Sequence, residues 1–267
     1  IPYFGYARKD KRFSPGETIP ARVIGEMLAR CCDGIAILDL HAPAILENLA
    51  VPVEFVSAMP EIAEHLAETV APDFILSPDK GAIARATEVA KLMGCEFSYL
   101  EKTRIDAHTI EHQSKDLDVN GKVVAIVDDM ISTGGTICRA SDALLRQGAT
   151  EVHAACTHGL FTAGAISRLA SHVNGVHSSD SLPNPRAVVS SAPALARGLQ
   201  NPPTHWILGT THRYQARTDD RRDTNPQVLS RVRSTRAPAG AELTLALGHG
   251  RVSLTLAPCL CFSPCRS

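Results

Sequence analysis

The sequence lacks the features that identify a membrane protein or a disulfide scaffold. Its longest apolar runs, such as Val123 to Val127, are far too short to span a bilayer. The eight cysteines contain no C-x-x-C pair, which argues against zinc-ribbon and thioredoxin-like sites. The chain does not begin with Met, and the charged run from Arg8 to Arg12 stands where a signal peptide would be apolar. We therefore expect a cytoplasmic protein that has lost its true start.

Lysine is absent after Lys122, although arginine continues to the end of the chain. Residues 1–200 carry 18 basic and 24 acidic residues, whereas residues 201–267 carry nine arginines and four acidic residues. This shift is the clearest boundary in the sequence. One alternating apolar pattern, centred on Gly248-His249-Gly250, predicts a hairpin beyond the boundary. Because an isolated hairpin is marginally stable, we expect residues 201–267 to be a disordered or non-native tail.

The chain between Gly34 and about Val176 alternates short β-rich runs with segments of helical apolar spacing. This order predicts parallel β-α-β units with helices on both faces of a sheet. In such sheets ligands bind at the carboxyl ends of the strands. The predicted strands are Ile35–Leu40, Phe74–Ser77, Glu96–Leu100, Val123–Val127 and Val152–Thr157. The predicted helices are Ala21–Ala29, Pro60–Val70, Ala82–Met93, Thr136–Gln147 and Thr162–Ala170.

The most informative motif follows the predicted strand Val123–Val127. Two adjacent carboxylates, Asp128 and Asp129, precede a loop rich in glycine and hydroxyl groups that opens a helix. The glycines let successive N–H groups point at one anion, and the helix N-terminus adds partial positive charge. The carboxylates would repel a phosphate but suit hydrogen bonds from vicinal sugar hydroxyls. The motif therefore predicts a sugar-phosphate site, in preference to a capping loop with solvated acids.

This stretch resembles the signature for 5-phosphoribosyl 1-diphosphate (PRPP) in type I phosphoribosyltransferases and ribose-phosphate diphosphokinases. The resemblance implies that Asp128 and Asp129 bind the ribose hydroxyls. It further implies that the 5-phosphate is bound by Ser132, Thr133, Gly134, Gly135 and Thr136. Both classes share the signature, so it does not separate enzymes that make PRPP from those that consume it.

The N-terminal run from Tyr3 to Phe13 is an aromatic segment that leads into a dense charged turn. Such a turn suits a polyphosphate, although it could also be a solvated loop before a helix. Together with Pro15-Gly16-Glu17 it is similar to a signature of the diphosphokinases that simple transferases lack. The resemblance implies that ATP is contacted by Arg8, Lys9, Asp10 and Lys11.

Two further strand ends carry candidate metal residues. Asp39-Leu40-His41 places a carboxylate and an imidazole where they could bind Mg²⁺ or orient its water ligands. A lone histidine there is more often structural, but resemblance to the family's Asp-Leu-His element implies that His41 lies at the Mg-ATP site. Asp79 in the run Ser77–Gly81 matches the aspartate that serves ribose phosphate and its metal. Mg²⁺ is the expected cofactor.

The run from Tyr99 to Arg104 ends a predicted strand and precedes a polar stretch, Asp106–Asp118. A long loop without apolar spacing is typical of a mobile lid. Two cations at its base could neutralise charge during diphosphoryl transfer. The resemblance implies that Lys102 and Arg104 are the catalytic residues of this loop. Smaller matches lie at Thr157–Phe161 and Ser181–Pro185.

The sequence thus predicts an α/β protein with two similar phosphoribosyltransferase-like domains, the first incomplete. Residues 1–56 would be the rest of an ATP-binding domain, residues 57–200 the domain with the PRPP loop, and residues 201–267 the tail. The predicted activity is ribose-phosphate diphosphokinase, with ATP and ribose 5-phosphate as substrates. A homo-oligomer is expected, with no nucleic-acid or membrane partner. The alternatives are a PRPP-consuming phosphoribosyltransferase and an inactive or regulatory relative of the diphosphokinases.

Overall fold

The computed structural model describes residues 1–12, 14–104, 110–113, 117–200, 243–247 and 250–254. The chain divides into two compact units, Ile1–Arg217 and Thr218–Ser267. The described helices of the first unit are α1 (Pro20–Ala29), α2 (Met59–Thr69), α3 (Ile83–Met93), α4 (Gly135–Arg146), α5 (Ala165–Leu169) and α6 (Ala192–Gln200). Its described strands are β1 (Ile35–Leu38), β2 (Val53–Val56), β3 (Phe74–Ser77), β4 (Glu96–Tyr99), β5 (Glu101–Arg104), β6 (Ile110–Gln113), β7 (Val123–Ile131), β8 (Glu151–Gly159), β9 (Gly175–Ser179) and β10 (Ala187–Val189).

Six strands of this unit form a parallel sheet in the order β10-β9-β8-β7-β3-β4. Strand β3 has a neighbouring strand on each side. Strand β4 pairs with one edge of β3, and β7 pairs with the other edge. The carboxyl ends of β3 and β7 therefore form the topological switch point, where open α/β sheets bind their ligands.

Both faces of the sheet are covered, as the apolar residues of β7 show. Val124 and Ile126 belong to a buried cluster that includes Leu144 of α4. Ala125 and Val127 belong to a separate cluster formed with α2 and α3. Residues two apart share one face of a strand. An uninterrupted apolar run is thus what a strand buried on both faces requires.

A second, smaller parallel pair joins β1 to β2, with Ile35 opposite Val53 and Leu38 opposite Val56. Its residue Ile37 packs with Phe4 and α1 in one buried cluster. Leu38 and Val56 pack against α6 in another. Helix α6 thus follows the six-stranded sheet in sequence but contacts the small pair.

The described part of the second unit is an antiparallel hairpin of β11 (Leu243–Leu247) and β12 (Gly250–Leu254). Leu243 lies opposite Leu254, and Leu247 lies opposite Gly250. The predicted hairpin is therefore confirmed. The expectation of a disordered or non-native tail stays a prediction, as do the proposed domain boundaries.

The α/β prediction is confirmed, and all five predicted strands and all five predicted helices are present. Strand β3 has the predicted bounds, and the other elements have shifted ends. Strand β7 continues past Val127 to Ile131 because its last residues keep pairing with β8. Helix α5 begins only at Ala165, since Phe161 and Ala163 have positive φ angles of 44° and 53° that form a turn. The short elements β2, β5, β6, β9, β10 and α6 were not predicted. Among the described residues, no helix is long and apolar enough to cross a membrane.

Candidate active site

A polar cleft opens at the switch point between β3 and β7. Its volume is about 140 Å³, below the roughly 300–1,000 Å³ of pockets for drug-sized ligands. The walls come from the N-terminal turn, from the segments after β1 and β3, and from β7 with the start of α4. The lining residues are Arg8, His41, Asp79, Gly81 and the continuous run from Asp128 to Ile137. The predicted sugar-phosphate residues therefore share one cleft with Arg8 and His41.

Gly134 shapes the loop between β7 and α4. Its φ of +75° is left-handed, and it caps the N-terminus of α4. A Cβ atom at this position would lie 3.0 Å from Cγ of the buried Leu169. Any larger residue would therefore strain the backbone and press on α5. The N–H groups at the start of α4 carry partial positive charge, so the loop suits an anion.

The segment around α5 holds this loop from outside. Arg168 donates from Nη1 to the carbonyl of Thr133 at 2.5 Å and from Nη2 to the carbonyl of Ala163 at 3.3 Å. The backbone N–H of Thr162 donates to the carbonyl of Ser132 at 3.0 Å. The hydroxyl oxygens of Thr162 and Ser132 are also 3.0 Å apart. These bonds engage the carbonyl oxygens of Ser132 and Thr133 and so tie the loop to the segment around α5.

The two adjacent carboxylates of β7 have different environments. Asp128 is half-buried, and its Oδ1 accepts a hydrogen bond from the backbone N–H of Asp129 at 2.8 Å. Burial raises the pKa of Asp128 well above its usual value, and the charges of Asp129 and Asp79 raise it further. A group of three carboxylates favours a ligand that brings hydroxyl donors or a hard cation.

Asp129 is buried and contacts His41, which is 88 residues earlier in the chain. Nδ1 of His41 lies 2.6 Å from Oδ2 of Asp129. Burial acts to raise the pKa of Asp129, but the hydrogen bond from His41 and the charge of Arg85 outweigh it and lower the pKa to about 2. The same hydrogen bond raises the pKa of His41. Asp129 is therefore ionised at neutral pH.

Asp39 does not line the cleft, unlike its neighbour His41. Its Oδ2 accepts hydrogen bonds from the backbone N–H of Ala58 at 2.9 Å and from Oγ1 of Thr157 at 2.6 Å. The carboxylate is only 6% exposed. Asp39 thus joins the end of β1 to the start of α2 and to β8. The expectation of a metal role in this motif therefore applies to His41 alone.

Asp79 lies on the β3 side of the cleft and also shapes its own turn. Its Oδ1 accepts hydrogen bonds from the backbone N–H groups of Gly81 at 2.9 Å and Ala82 at 3.3 Å. These bonds cap the 3₁₀ turn Lys80–Ala82 that leads into α3. The carboxylate is thereby fixed in place at the switch point.

The four predicted ATP residues at the N-terminus are placed differently from one another. Arg8 lines the cleft. Lys9 forms an ion pair with Glu17, so its charge is partly compensated. Asp10 and Lys11 are not among the lining residues. The structure therefore brings one of these four residues to the sugar-phosphate cleft.

Lys102 and Arg104 lie in β5, which pairs antiparallel with β6. Lys102 is opposite His112, and Arg104 is opposite Ile110. Their side chains lie outside the described residues. The prediction of one long loop over Asp106–Asp118 is wrong for residues 110–113, because these residues form β6.

Arg85 and His158 are buried or nearly buried polar residues for which the sequence analysis predicted no role. Arg85 of α3 donates from Nη2 to the carbonyl of Leu40 at 2.9 Å. In His158, Nδ1 lies 2.9 Å from Oγ of Ser181 and Nε2 lies 3.3 Å from the carbonyl oxygen of Asp39. The position of His158 near the carboxyl end of β8 was a usable signal. Arg85 offered none, because its partners are at least 44 residues away in sequence.

Comparison with known proteins gives the family. Residues 48–178 match the model of the phosphoribosyl transferase domain. The ribose-phosphate pyrophosphokinase of Methanopyrus kandleri is 42% identical over 204 residues, which cover 75% of this chain and 70% of the relative. That of Methanothermobacter thermautotrophicus is 41% identical, covering 73% and 69%. A phosphoribosylpyrophosphate synthetase structure from Mycobacterium smegmatis matches with a TM-score of 0.65 and 32% identity, covering 75% and 69%. The resemblance seen in the motifs is thus confirmed, and the chain belongs to the ribose-phosphate pyrophosphokinase family.

Proposed function

We propose that this protein transfers the diphosphoryl group of ATP to ribose 5-phosphate, giving PRPP and AMP. The observation that carries the proposal is the composition of the cleft. A glycine-shaped loop at a helix N-terminus lies beside an acid pair, and the same cleft contains His41 and Arg8. This combination suits a sugar phosphate together with a polyphosphate donor.

The run from Asp128 to Thr136 is the proposed ribose 5-phosphate site. Ser132, Thr133, Gly134, Gly135 and Thr136 bind the 5-phosphate through N–H and hydroxyl groups. Asp128 and Asp129 accept hydrogen bonds from the ring hydroxyls. The ionised state of Asp129 supports this role, because both oxygens of an ionised carboxylate are hydrogen-bond acceptors.

In the proposed reaction, the hydroxyl oxygen on C1 of the sugar attacks the β-phosphorus of ATP. A new C1–O–P bond forms, the bond between the β-phosphorus and its bridge to the α-phosphate breaks, and AMP leaves. The hydroxyl proton passes to solvent. Arg8, Lys9, Asp10, Lys11 and His41 bind ATP, and Lys102 and Arg104 neutralise the transferring group.

Mg²⁺ is the proposed cofactor, with His41 and Asp79 as its nearest protein groups. When bound, it neutralises phosphate charge and fixes the geometry of the polyphosphate. Among the described residues, no three metal-binding side chains form a ready-made cluster. Mg²⁺ usually binds one or two protein carboxylates and completes its coordination shell with water and substrate phosphates. The negative charges of Asp129 and Asp79, which raise the pKa of Asp128, support a cation in the cleft.

Family membership also leads us to propose a homo-oligomer in the cytoplasm. Sedimentation of the purified chain with and without ATP tests the oligomer. A single species with the mass of one chain under both conditions would contradict it.

The test of the activity is AMP release from ATP with Mg²⁺, with ribose 5-phosphate present or absent. AMP formation that requires the sugar phosphate supports diphosphoryl transfer. AMP or phosphate release without the sugar would contradict the proposal and indicate plain hydrolysis. A parallel assay with PRPP and nucleobases separates the alternative, because a phosphoribosyltransferase releases diphosphate in that assay.

A further inference from the structure

Arg85 joins three segments that are far apart in the chain. It lies near the start of α3, and its side chain is only 15% exposed. Its Nη2 donates to the carbonyl of Leu40, the residue between Asp39 and His41. Its Nε lies 3.7 Å from Oδ1 of Asp39, and its Nη2 lies 4.0 Å from Oδ2 of Asp129. One guanidinium therefore links α3, the end of β1 and β7.

The segment that Arg85 holds is the one that brings His41 into the cleft. Asp39 has a left-handed φ of 39°, so the backbone turns sharply just before Leu40. After this turn, His41 reaches Oδ2 of Asp129. The bond from Arg85 to the Leu40 carbonyl lies between the turn and His41. It therefore fixes the direction in which the His41 side chain leaves the backbone.

Arg85 also supplies a positive charge between two buried carboxylates. Asp39 is 6% exposed and Asp129 is 2% exposed. Buried carboxylates need paired cations or hydrogen-bond donors to offset the loss of water. A planar guanidinium has five N–H donors in a fixed arrangement, so it can face a carbonyl and two carboxylates at once. The single ammonium of lysine does not offer this arrangement.

We propose that Arg85 is a positioning residue for the reaction, which holds His41 and Asp129 in the geometry that receives the sugar. It does this through the Leu40 carbonyl and its closeness to both carboxylates. The inference rests on the proposed ribose 5-phosphate site. Arg85 does not line that cleft, so it acts through His41 and Asp129 rather than by touching the sugar.

The variants that test this are Arg85→Ala and Arg85→Lys, with Lys91→Ala as the control. Lys91 is exposed on the same helix and loses the same charge. The readouts are the Kd of ribose 5-phosphate by calorimetry, the KM and kcat for AMP formation, and the melting temperature. Each measurement on Arg85→Ala is repeated with millimolar guanidinium chloride.

We expect Arg85→Ala to weaken ribose 5-phosphate binding about tenfold to a hundredfold, the usual effect of losing hydrogen bonds to charged groups. Guanidinium should restore part of the affinity, because it can occupy the space of the missing group. Arg85→Lys should lie between Arg85→Ala and the wild type, and Lys91→Ala should match the wild type. KM for ribose 5-phosphate should rise more than kcat falls.

Rescue separates positioning from a general structural role. Weakened binding that guanidinium does not restore, with a matching loss of melting temperature, would overturn the proposal. Wild-type affinity in Arg85→Ala would overturn it as well. If Arg85→Ala does not fold, Arg85→Lys takes its place. Wild-type affinity for ribose 5-phosphate in Arg85→Lys would then overturn the proposal, and weakened affinity in a stable Arg85→Lys would support it. A wild-type protein that does not bind ribose 5-phosphate would instead overturn the proposed function on which the inference depends.

Discussion

The cleft has two parts that are built in opposite ways. The run from Asp128 to Ile137 is one continuous stretch in which strand, loop and helix follow one another; we call it the continuous part. Arg8, His41, Asp79 and Gly81 come from three separate segments; we call these residues the assembled part. Local backbone geometry determines the continuous part. Contacts between residues far apart in sequence hold the assembled part, such as that of His41 with Asp129. The comparison predicts that single substitutions will damage the two parts by different routes.

The largest effect should come from Lys102→Ala, which leaves both parts of the cleft unchanged. Removing one group that stabilises transferring charge lowers kcat about 100- to 1,000-fold. The Kd of ribose 5-phosphate should stay within a factor of two of wild type, roughly the scatter of such data. AMP release and calorimetry measure the two quantities, and Lys91→Ala is the control. Unchanged turnover would remove Lys102 from the proposed chemistry.

The next effect should come from Gly134→Ala, which disturbs the continuous part alone. An alanine must adopt a left-handed φ at a cost of about 1–2 kcal/mol, and its Cβ would lie 3.0 Å from Leu169. We expect ribose 5-phosphate affinity to fall about tenfold or more. Gly121→Ala is the control, because its φ is +74° but no atom lies within 4 Å of the new Cβ. Equal loss of affinity in both variants would show that the loop geometry is not the cause.

A smaller effect should come from Thr157→Val, which disturbs the support of the assembled part. It removes the 2.6 Å hydrogen bond to Asp39 from a fully buried site. We expect the free energy of unfolding to fall by about 1–3 kcal/mol. Urea unfolding measures it. The control is Thr150→Val, an exposed threonine that donates to the carbonyl of Lys122 at 3.0 Å. If Thr150→Val lowers the free energy of unfolding as much as Thr157→Val does, the hydrogen bond from Thr157 to Asp39 has no special role in stability.

The smallest effect should come from a cluster remote from the cleft. Burial, together with the charges of the nearby His65, His153 and Arg186, lowers the pKa of His177 to about 4. Nδ1 of His177 lies 2.9 Å from Nε2 of His65, and His153 is in turn 3.1 Å from Glu151. The folded state thus binds fewer protons than the unfolded state. Stability is present above about pH 6.5, the unfolded pKa, and is lost as the pH falls toward 4.

Because His177 is only half-buried, the free energy of unfolding falls by only roughly 1–2 kcal/mol over this pH range. In His177→Asn the fall of the urea midpoint between pH 7 and pH 5 should therefore be smaller than in wild type. His172→Gln is the control, since His172 lies 2.8 Å from Oδ1 of Asp142 at another place. Identical pH dependence in His177→Asn and wild type would show that the cluster does not set acid stability.

Sequence reasoning worked well for the continuous part and less well for the assembled part. The strand, the two carboxylates Asp128 and Asp129, the loop and the start of the helix follow one another directly in the sequence. They could therefore be predicted together. His41 and Asp79 could be placed at strand ends, but not in contact with particular partners. Nothing in the sequence indicated that Asp39 would bind Thr157, 118 residues away.

Several of the missed strands have a weak side-chain pattern. The strands β2 and β9 contain the polar residues Glu54 and His177, and β10 has only three residues. Side-chain polarity also explains why β7 was predicted to end at Val127. Polar Asp128 and Asp129 interrupt the apolar run, yet the pairing with β8 continues through them because backbone groups do not depend on side-chain polarity.

The position of Leu169 beneath Gly134 has a consequence for how α5 responds to ligand. This helix has five residues, too few to be stable alone, and it is held by the loop through Leu169 and Arg168. A ligand that binds only the folded loop stabilises the folded state by mass action. Amide hydrogen exchange in α5 should therefore slow when ribose 5-phosphate binds. The exchange rates of this one turn would then report occupancy of the cleft, although none of its residues lines it.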